Sequence, residues 1–150
     1  TVKKIRDIIG SNRIIGIENN NYYPTGAYDI ATSSDYLIEA ANKNNLKLLF
    51  DFAHAKITCT NKKISFNIYS NKLIENIKCI QMHLCENRTR LYNNEELAYD
   101  AHELPTKETT NEALNLCNSN NIKSLTIEYY KNADNLTDYL KKLKLIINKK

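Results

Sequence analysis

Three histidines and a set of acids fall where a folded chain could bring them together. The runs Arg13-Ile14-Ile15-Gly16-Ile17-Glu18, Leu46-Lys47-Leu48-Leu49-Phe50-Asp51, Cys79-Ile80-Gln81-Met82-His83 and Ser124-Leu125-Thr126-Ile127-Glu128 are mainly apolar over a strand's length, and each stops on a side chain able to bind a metal. His54 follows three residues after Asp51, and His102 stands beside Asp100 in Tyr99-Asp100-Ala101-His102-Glu103-Leu104-Pro105. With Glu18, Asp51, Asp100 and Glu128, the histidines His54, His83 and His102 make an oxygen and nitrogen donor set. Such a set suits iron, manganese or zinc and argues against a thiolate site. Carboxylates gathered at one closed end raise one another's pKa unless cations neutralise them. A shared metal site therefore accounts for the pattern better than unrelated exposed acids.

The elements that must position these residues alternate. The spacing predicts a helix over 2–9, a strand over 13–18, a loop over 19–29 and a helix from Ser33 or Ser34 to about Asn44. A strand over 46–51, a polar loop around 59–63, a helix over 66–76 and a strand to His83 or Leu84 follow. The segment from Cys85 to Pro105 reads as a long polar loop of the kind that carries function. A helix from Thr106 to about Asn118, a strand over 124–128 and a closing helix from Asp134 or Asn135 to Ile147 complete the chain. Strands alternating with helices imply an α/β fold, a parallel sheet of four βα units in one domain. In parallel sheets, side chains at the carboxyl ends of the strands face the ligand, so the strand-ending donors should meet.

Composition bounds the rest. With 150 residues and 42% hydrophobic content the chain can bury one core. A net charge of +4 is spread thinly except near the end, where Lys141, Lys142, Lys144, Lys149 and Lys150 read as a solvated last turn; a nucleic-acid partner is not expected. No apolar run of about eighteen residues is present, so no membrane span is expected. Cys59, Cys79, Cys85 and Cys117 show no Cys-x-x-Cys spacing and read as reduced thiols, in keeping with a cytoplasmic protein. Cys85, at alternating strand spacing from His83, is the minor candidate for a thiolate ligand or redox thiol. Arg88 and Arg90 read mainly as solvated loop residues, with an anion-holding role as the alternative.

The wording Gly16-Ile17-Glu18-Asn19, Asp51-Phe52-Ala53-His54, Gln81-Met82-His83-Leu84 and Tyr99-Asp100-Ala101-His102-Glu103-Leu104-Pro105, followed by the strand-ending Glu128, resembles in order the metal-binding pattern of the xylose-isomerase-like TIM-barrel superfamily. Within it the chain looks most like the multinuclear non-haem iron-dependent oxidative enzymes, the methanobactin-maturation-oxidase-like family. The resemblance implies a (β/α)8 barrel with two or three iron ions, zinc or manganese being alternatives. It implies oxidation, with oxygen, of cysteines or backbone positions in a precursor peptide, often presented by a partner protein. It further implies that Glu18 bridges two metals, that Asp51, His83 and Glu128 complete one site, and that His54, Asp100 and His102 hold another, with Asn19 supporting a ligand from behind.

A barrel takes roughly 250 residues and eight strands, and four strands are legible here. The match is to the C-terminal half. The expected first half is absent from this sequence, which reads most simply as a fragment; a separate polypeptide or a second copy of the chain could also complete the barrel. Two other readings stay open: a divalent-metal sugar isomerase or apurinic endonuclease of the same superfamily, and a non-enzymatic binding module whose surface is the tyrosine-rich loops.

Overall fold

The computed structural model describes residues 2–10 and 12–148. Its elements in chain order are α1 (Val2–Ile9), β1 (Gly16–Glu18), a 3-10 turn (Ile30–Thr32), α2 (Ser34–Asn44), β2 (Lys47–Asp51), α3 (Phe52–Lys62), α4 (Phe66–Asn76), β3 (Cys79–Leu84), β4 (Glu86–Tyr92), β5 (Glu95–Glu103), α5 (Lys107–Ser119), β6 (Leu125–Ile127) and α6 (Ala133–Ile147). Side chains set the helix starts: Ser33, Ser65, Thr106 and Asn132 each accept a hydrogen bond from a backbone N–H of the first turn of α2, α4, α5 and α6. Asn45 and Lys63 end α2 and α3 in the left-handed conformation, at φ 50° and 56°.

Four strands form one parallel sheet in the order β1-β2-β3-β6, as the alternation of strands and helices predicts. Each new strand adds on the same side of the last. Right-handed crossovers between strands added in one direction place their helices on one face. That face is the core: Leu48, Phe50, Met82 and Leu84 are fully buried against Leu37, Phe52, Leu73 and Ala113 of the helices. Alternation sends the intervening residues to the other face, where Glu18 pairs with Leu49, Leu49 with Gln81, Asp51 with His83, and His83 with Thr126.

Two expectations need correction. The residues around 59–63 are not a loop: α3 starts directly on the residue after β2 and runs to Lys62, with Lys63 as its left-handed cap. Thr58, Cys59, Thr60 and Asn61 are poor helix formers, and burial overrides that preference. The fully buried Thr58 donates from Oγ1 to the Asn20 carbonyl at 3.1 Å and accepts from the Tyr22 N–H at 3.0 Å, so its polarity holds the 19–22 loop. The stretch from Cys85 to Pro105 is likewise no loop. It is an antiparallel hairpin, β4 on β5, turned at Asn93 and Asn94 with φ of 49° and 63°. Left-handed geometry at both central residues is what a two-residue hairpin turn requires. The hairpin leans on α3, where Asn61 Oδ1 accepts from the Ala98 N–H at 2.8 Å and Asn61 Nδ2 donates to the Ala98 carbonyl at 3.0 Å.

Because Phe50 and Leu73 lie fully buried in the layer between sheet and helices, truncating either to alanine is expected to cost about 3–5 kcal/mol. Leu91→Ala on the exposed hairpin is expected to change stability by less than about 0.5 kcal/mol. Urea unfolding midpoints measured at unchanged m-value check both; equal effects at the two kinds of position would contradict the assigned core.

Candidate metal centre

The seven donors are placed by six segments of the chain, with Asp100 and His102 sharing one. Glu18 and Asp51 are the last residues of β1 and β2, and His83 is the penultimate residue of β3. Glu128 follows β6, and its N–H donates to the Leu84 carbonyl at 3.0 Å. Asp51 also caps α3, accepting at Oδ1 from the His54 N–H at 2.7 Å, which swings the His54 ring back over the strand ends. The hairpin supplies the other side. Asp100 and His102 lie on β5, Tyr23 Oη accepts from the Asp100 N–H at 3.0 Å, and His102 is left-handed at φ 45°. That conformation is strained for a residue other than glycine and is common at functional sites.

The seven sequence-predicted donors meet. His54 Nδ1 lies 3.7 Å from Glu18 Oε1 and 3.8 Å from Asp51 Oδ1, while its Nε2 is 3.5 Å from Asp100 Oδ2. His102 Nε2 is 3.2 Å from the same Asp100 oxygen, and its Nδ1 is 4.0 Å from Glu128 Oε2. His83 Nδ1 is 3.7 Å from Glu18 Oε1 and 2.6 Å from Glu128 Oε1. Glu18 therefore stands between two imidazoles, as a bridging ligand would. Asp51 also joins two donor groups: Glu18, Asp51 and His54 lie within 4.8 Å of one another, and so do Asp51, His83 and Glu128.

Two atoms in this cluster are out of balance. Asp51 Oδ2 and His83 Nδ1 are buried and have no hydrogen-bond partner. The approach of His83 Nδ1 to Glu128 is short, yet the two groups are not aligned as donor and acceptor. Buried polar atoms are nearly always satisfied, so this pair marks where a cation fits. Ligands about 2.1 Å from one ion lie at most about 4.2 Å apart, and the donors here are within a small side-chain movement of that. The residues present fit a metal.

The charges point the same way. Burial pushes the Asp51 carboxyl up to about 7, with Glu128 and Glu18 adding to the rise against the pull of His54. For His54 burial lowers the pKa, but Asp100, Asp51 and the Asn19 carbonyl outweigh it and bring it up to about 9. Burial alone would raise Asp100, but His54 and His102 hold it below the usual carboxylate range. Without a metal, protons and imidazolium charge balance the acids.

Sequence reasoning undervalued several supporting residues. Asn19, fully buried, clamps Asp51 from both sides: Nδ2 donates to the Asp51 carbonyl at 2.8 Å, and Oδ1 accepts from the Asp51 N–H at 2.9 Å. Gln81 Nε2 lies 3.2 Å from His83 Nε2 and 2.7 Å from Thr126 Oγ1, which leaves Nδ1 to face the cluster. Tyr130 packs edge-on to the His102 ring with centroids 5.2 Å apart. Cys85 Sγ sits 3.6 Å from Asp100 Oδ1 and 3.7 Å from His102 Nδ1. Gln81 carried a signal, lying two residues before His83 on the same strand face. The arginines have partners within the hairpin and its surroundings: Arg88 is 2.8 Å from Glu103, and Arg90 stacks on Tyr99.

The shifts set the sign of a pH dependence. Asp51 keeps its proton in the folded chain to about 7 against an ordinary value of 3.8, so its contribution is lost as pH rises through that interval. His54, raised from 6.5 to about 9, contributes fully below 6.5 and loses its contribution as pH rises through about 9. The metal-free chain is therefore expected to weaken steadily from mildly acid to alkaline pH. Asp51→Asn keeps the helix cap, should remove the lower part of that slope, and should raise metal-free stability at pH 8 by on the order of 2 kcal/mol. Chemical denaturation across pH checks this; stability that rises between pH 4 and 7 would contradict it.

No protein-family model, curated protein or solved structure matches this chain.

Proposed function

We propose that the cluster is a multinuclear metal centre, with iron as the ion, and that it carries out oxygen-dependent oxidation of a peptide substrate. The observation that carries the reading is the pair of buried atoms that make no hydrogen bond, Asp51 Oδ2 and His83 Nδ1, inside a cluster of carboxylates and imidazoles. Glu18, Asp51 and His54 would hold one ion, and Asp51, His83 and Glu128 another. Zinc or manganese suits the same donors less specifically. Bound iron would supply the one-electron and oxygen chemistry.

The chain's own residues do the rest. Asn19 fixes the backbone of Asp51, and the His54 N–H holds one oxygen of its carboxylate. Asp100 faces the Nε2 atoms of both His54 and His102 and holds their ring orientations. Beside Asp100, Tyr23 borders a cavity of about 220 Å³ lined also by Pro24, Thr25, Arg90, Tyr92 and Leu97. This mixed aromatic and cationic pocket, one hydrogen bond from the centre, supports a peptide side chain as substrate.

The sheet's second face and its edge strands β1 and β6 support completion of the barrel by another half, supplied by further chain, a partner polypeptide or a second copy. A partner that presents the peptide belongs to the same reading. The four free cysteines favour a reducing compartment such as the cytoplasm, and no helix among the described residues is long and apolar enough to cross a membrane. A phosphate-binding nuclease fits less well. Lys56 is engaged with Glu112 at 2.8 Å, and Lys62 donates to Thr32 Oγ1 at 2.9 Å beneath the Tyr22 ring, so two of the lysines nearest the site have partners.

The chain loaded with ferrous iron without oxygen is expected, on mixing with oxygen, to consume it at least about tenfold faster than the same iron free in buffer. His83→Ala and Asp51→Asn should lose most of that excess. Rates equal to free iron in the parent chain would overturn the oxidative reading, and zinc-dependent nicking of abasic DNA would replace it with the nuclease.

A further inference from the structure

A further group of donors lies on the hairpin side of the cluster. Cys85 directly follows β3 and is 2% exposed, and the Cys85 sulfur, a His102 nitrogen and a Glu128 oxygen all lie within 4.8 Å of one another. We propose that Cys85, His102 and Glu128 hold a metal ion of their own through a thiolate, an imidazole and a carboxylate, with Glu128 bridging to the ion held by Asp51 and His83. The inference rests on the metal-centre reading above and adds a sulfur-ligated site that the oxygen and nitrogen donors do not imply.

Three features carry it. The two oxygens of Glu128 face different neighbours: Oε1 lies 2.6 Å from His83 Nδ1, and Oε2 lies 4.0 Å from His102 Nδ1. A carboxylate so placed can give one oxygen to each of two ions. His102 is oriented as a ligand: Asp100 Oδ2 lies 3.2 Å from Nε2, where it can accept from a ring N–H, and Nδ1 is the atom that faces the sulfur at 3.7 Å. Finally, Asp51 Oδ2, on a residue with no exposure and with no hydrogen-bond partner, adds an uncompensated acceptor to the same cluster.

Binding needs no oxidant or reductant. The Cys85 S–H bond breaks, its proton leaves to solvent, and the sulfur electron pair forms the bond to the divalent ion. A thiolate ligand favours iron, cobalt or zinc over manganese or magnesium, so the two kinds of site in the cluster would differ in metal preference.

Cobalt(II) titration of the full 150-residue chain without oxygen separates this proposal from the reading beneath it. Expected is a near-ultraviolet sulfur-to-cobalt charge-transfer band beside the visible ligand-field bands. The band should be lost in Cys85→Ser and Cys85→Ala, and kept in Cys59→Ser, Cys79→Ser and Cys117→Ser. Visible bands without the charge-transfer band in the parent chain would overturn the thiolate site and leave the oxygen and nitrogen centre standing. A charge-transfer band that survives in folded Cys85 variants would also overturn it. No cobalt spectrum at all would overturn both. Because the parent spectrum decides by itself, failure of a variant to fold does not shelter the proposal.

Discussion

The structure depends on how four carboxylates and three imidazoles can share one end of a sheet. Glu18, Asp51, Asp100 and Glu128 reach toward His54, His83 and His102 at separations between 2.6 and 4.0 Å. At such spacing, in a partly dry region, like charges repel strongly enough to change protonation. The chain answers with protons where it has no cation, holding Asp51 up to about 7 and His54 up to about 9. A divalent ion would take the place of those protons and satisfy the two buried atoms that protons leave unpaired. Metal uptake at this cluster would therefore release protons.

The scaffold around this end is built to resist that repulsion. Asn19 ties the loop after β1 to the backbone of Asp51 with two hydrogen bonds, and Asp51 itself caps α3, so strand end, helix start and candidate ligand are one residue. Thr58 and Asn61, further along α3, hold the 20–22 loop and the hairpin respectively. One helix therefore fixes the three segments that carry Glu18, His54 and Asp100. The two sheet faces divide the labour: the fully buried aliphatic and aromatic residues of β2 and β3 supply cohesion, and the opposite face supplies the donors.

Much of this was legible in the sequence, because apolar runs that stop on a ligand-type residue carry both the strand and its end. The strands ending at Asp51 and near His83, and the helices over 34–44, 66–76 and 107–119, follow from periodicity and capping residues. The hairpin did not, since β4 and β5 carry polar residues on both faces and turn on Asn93-Asn94 without a glycine. Nor did α3, which leaves no linker after β2 and passes through residues of low helix propensity. Cys85 was undervalued for a related reason: only when the hairpin folds back does its sulfur meet His102, and a contact between segments has no local signature.

Whether the cluster holds metal is decided by the elemental metal content per chain of protein purified without oxygen from iron-supplemented cells. Two or more iron ions per chain are expected, with the content falling in Asp51→Asn, whose side chain joins two of the donor groups. Parent protein that is folded yet carries no iron, manganese or zinc would rule out a metal centre and leave the buried Asp51 and His83 atoms without a cation.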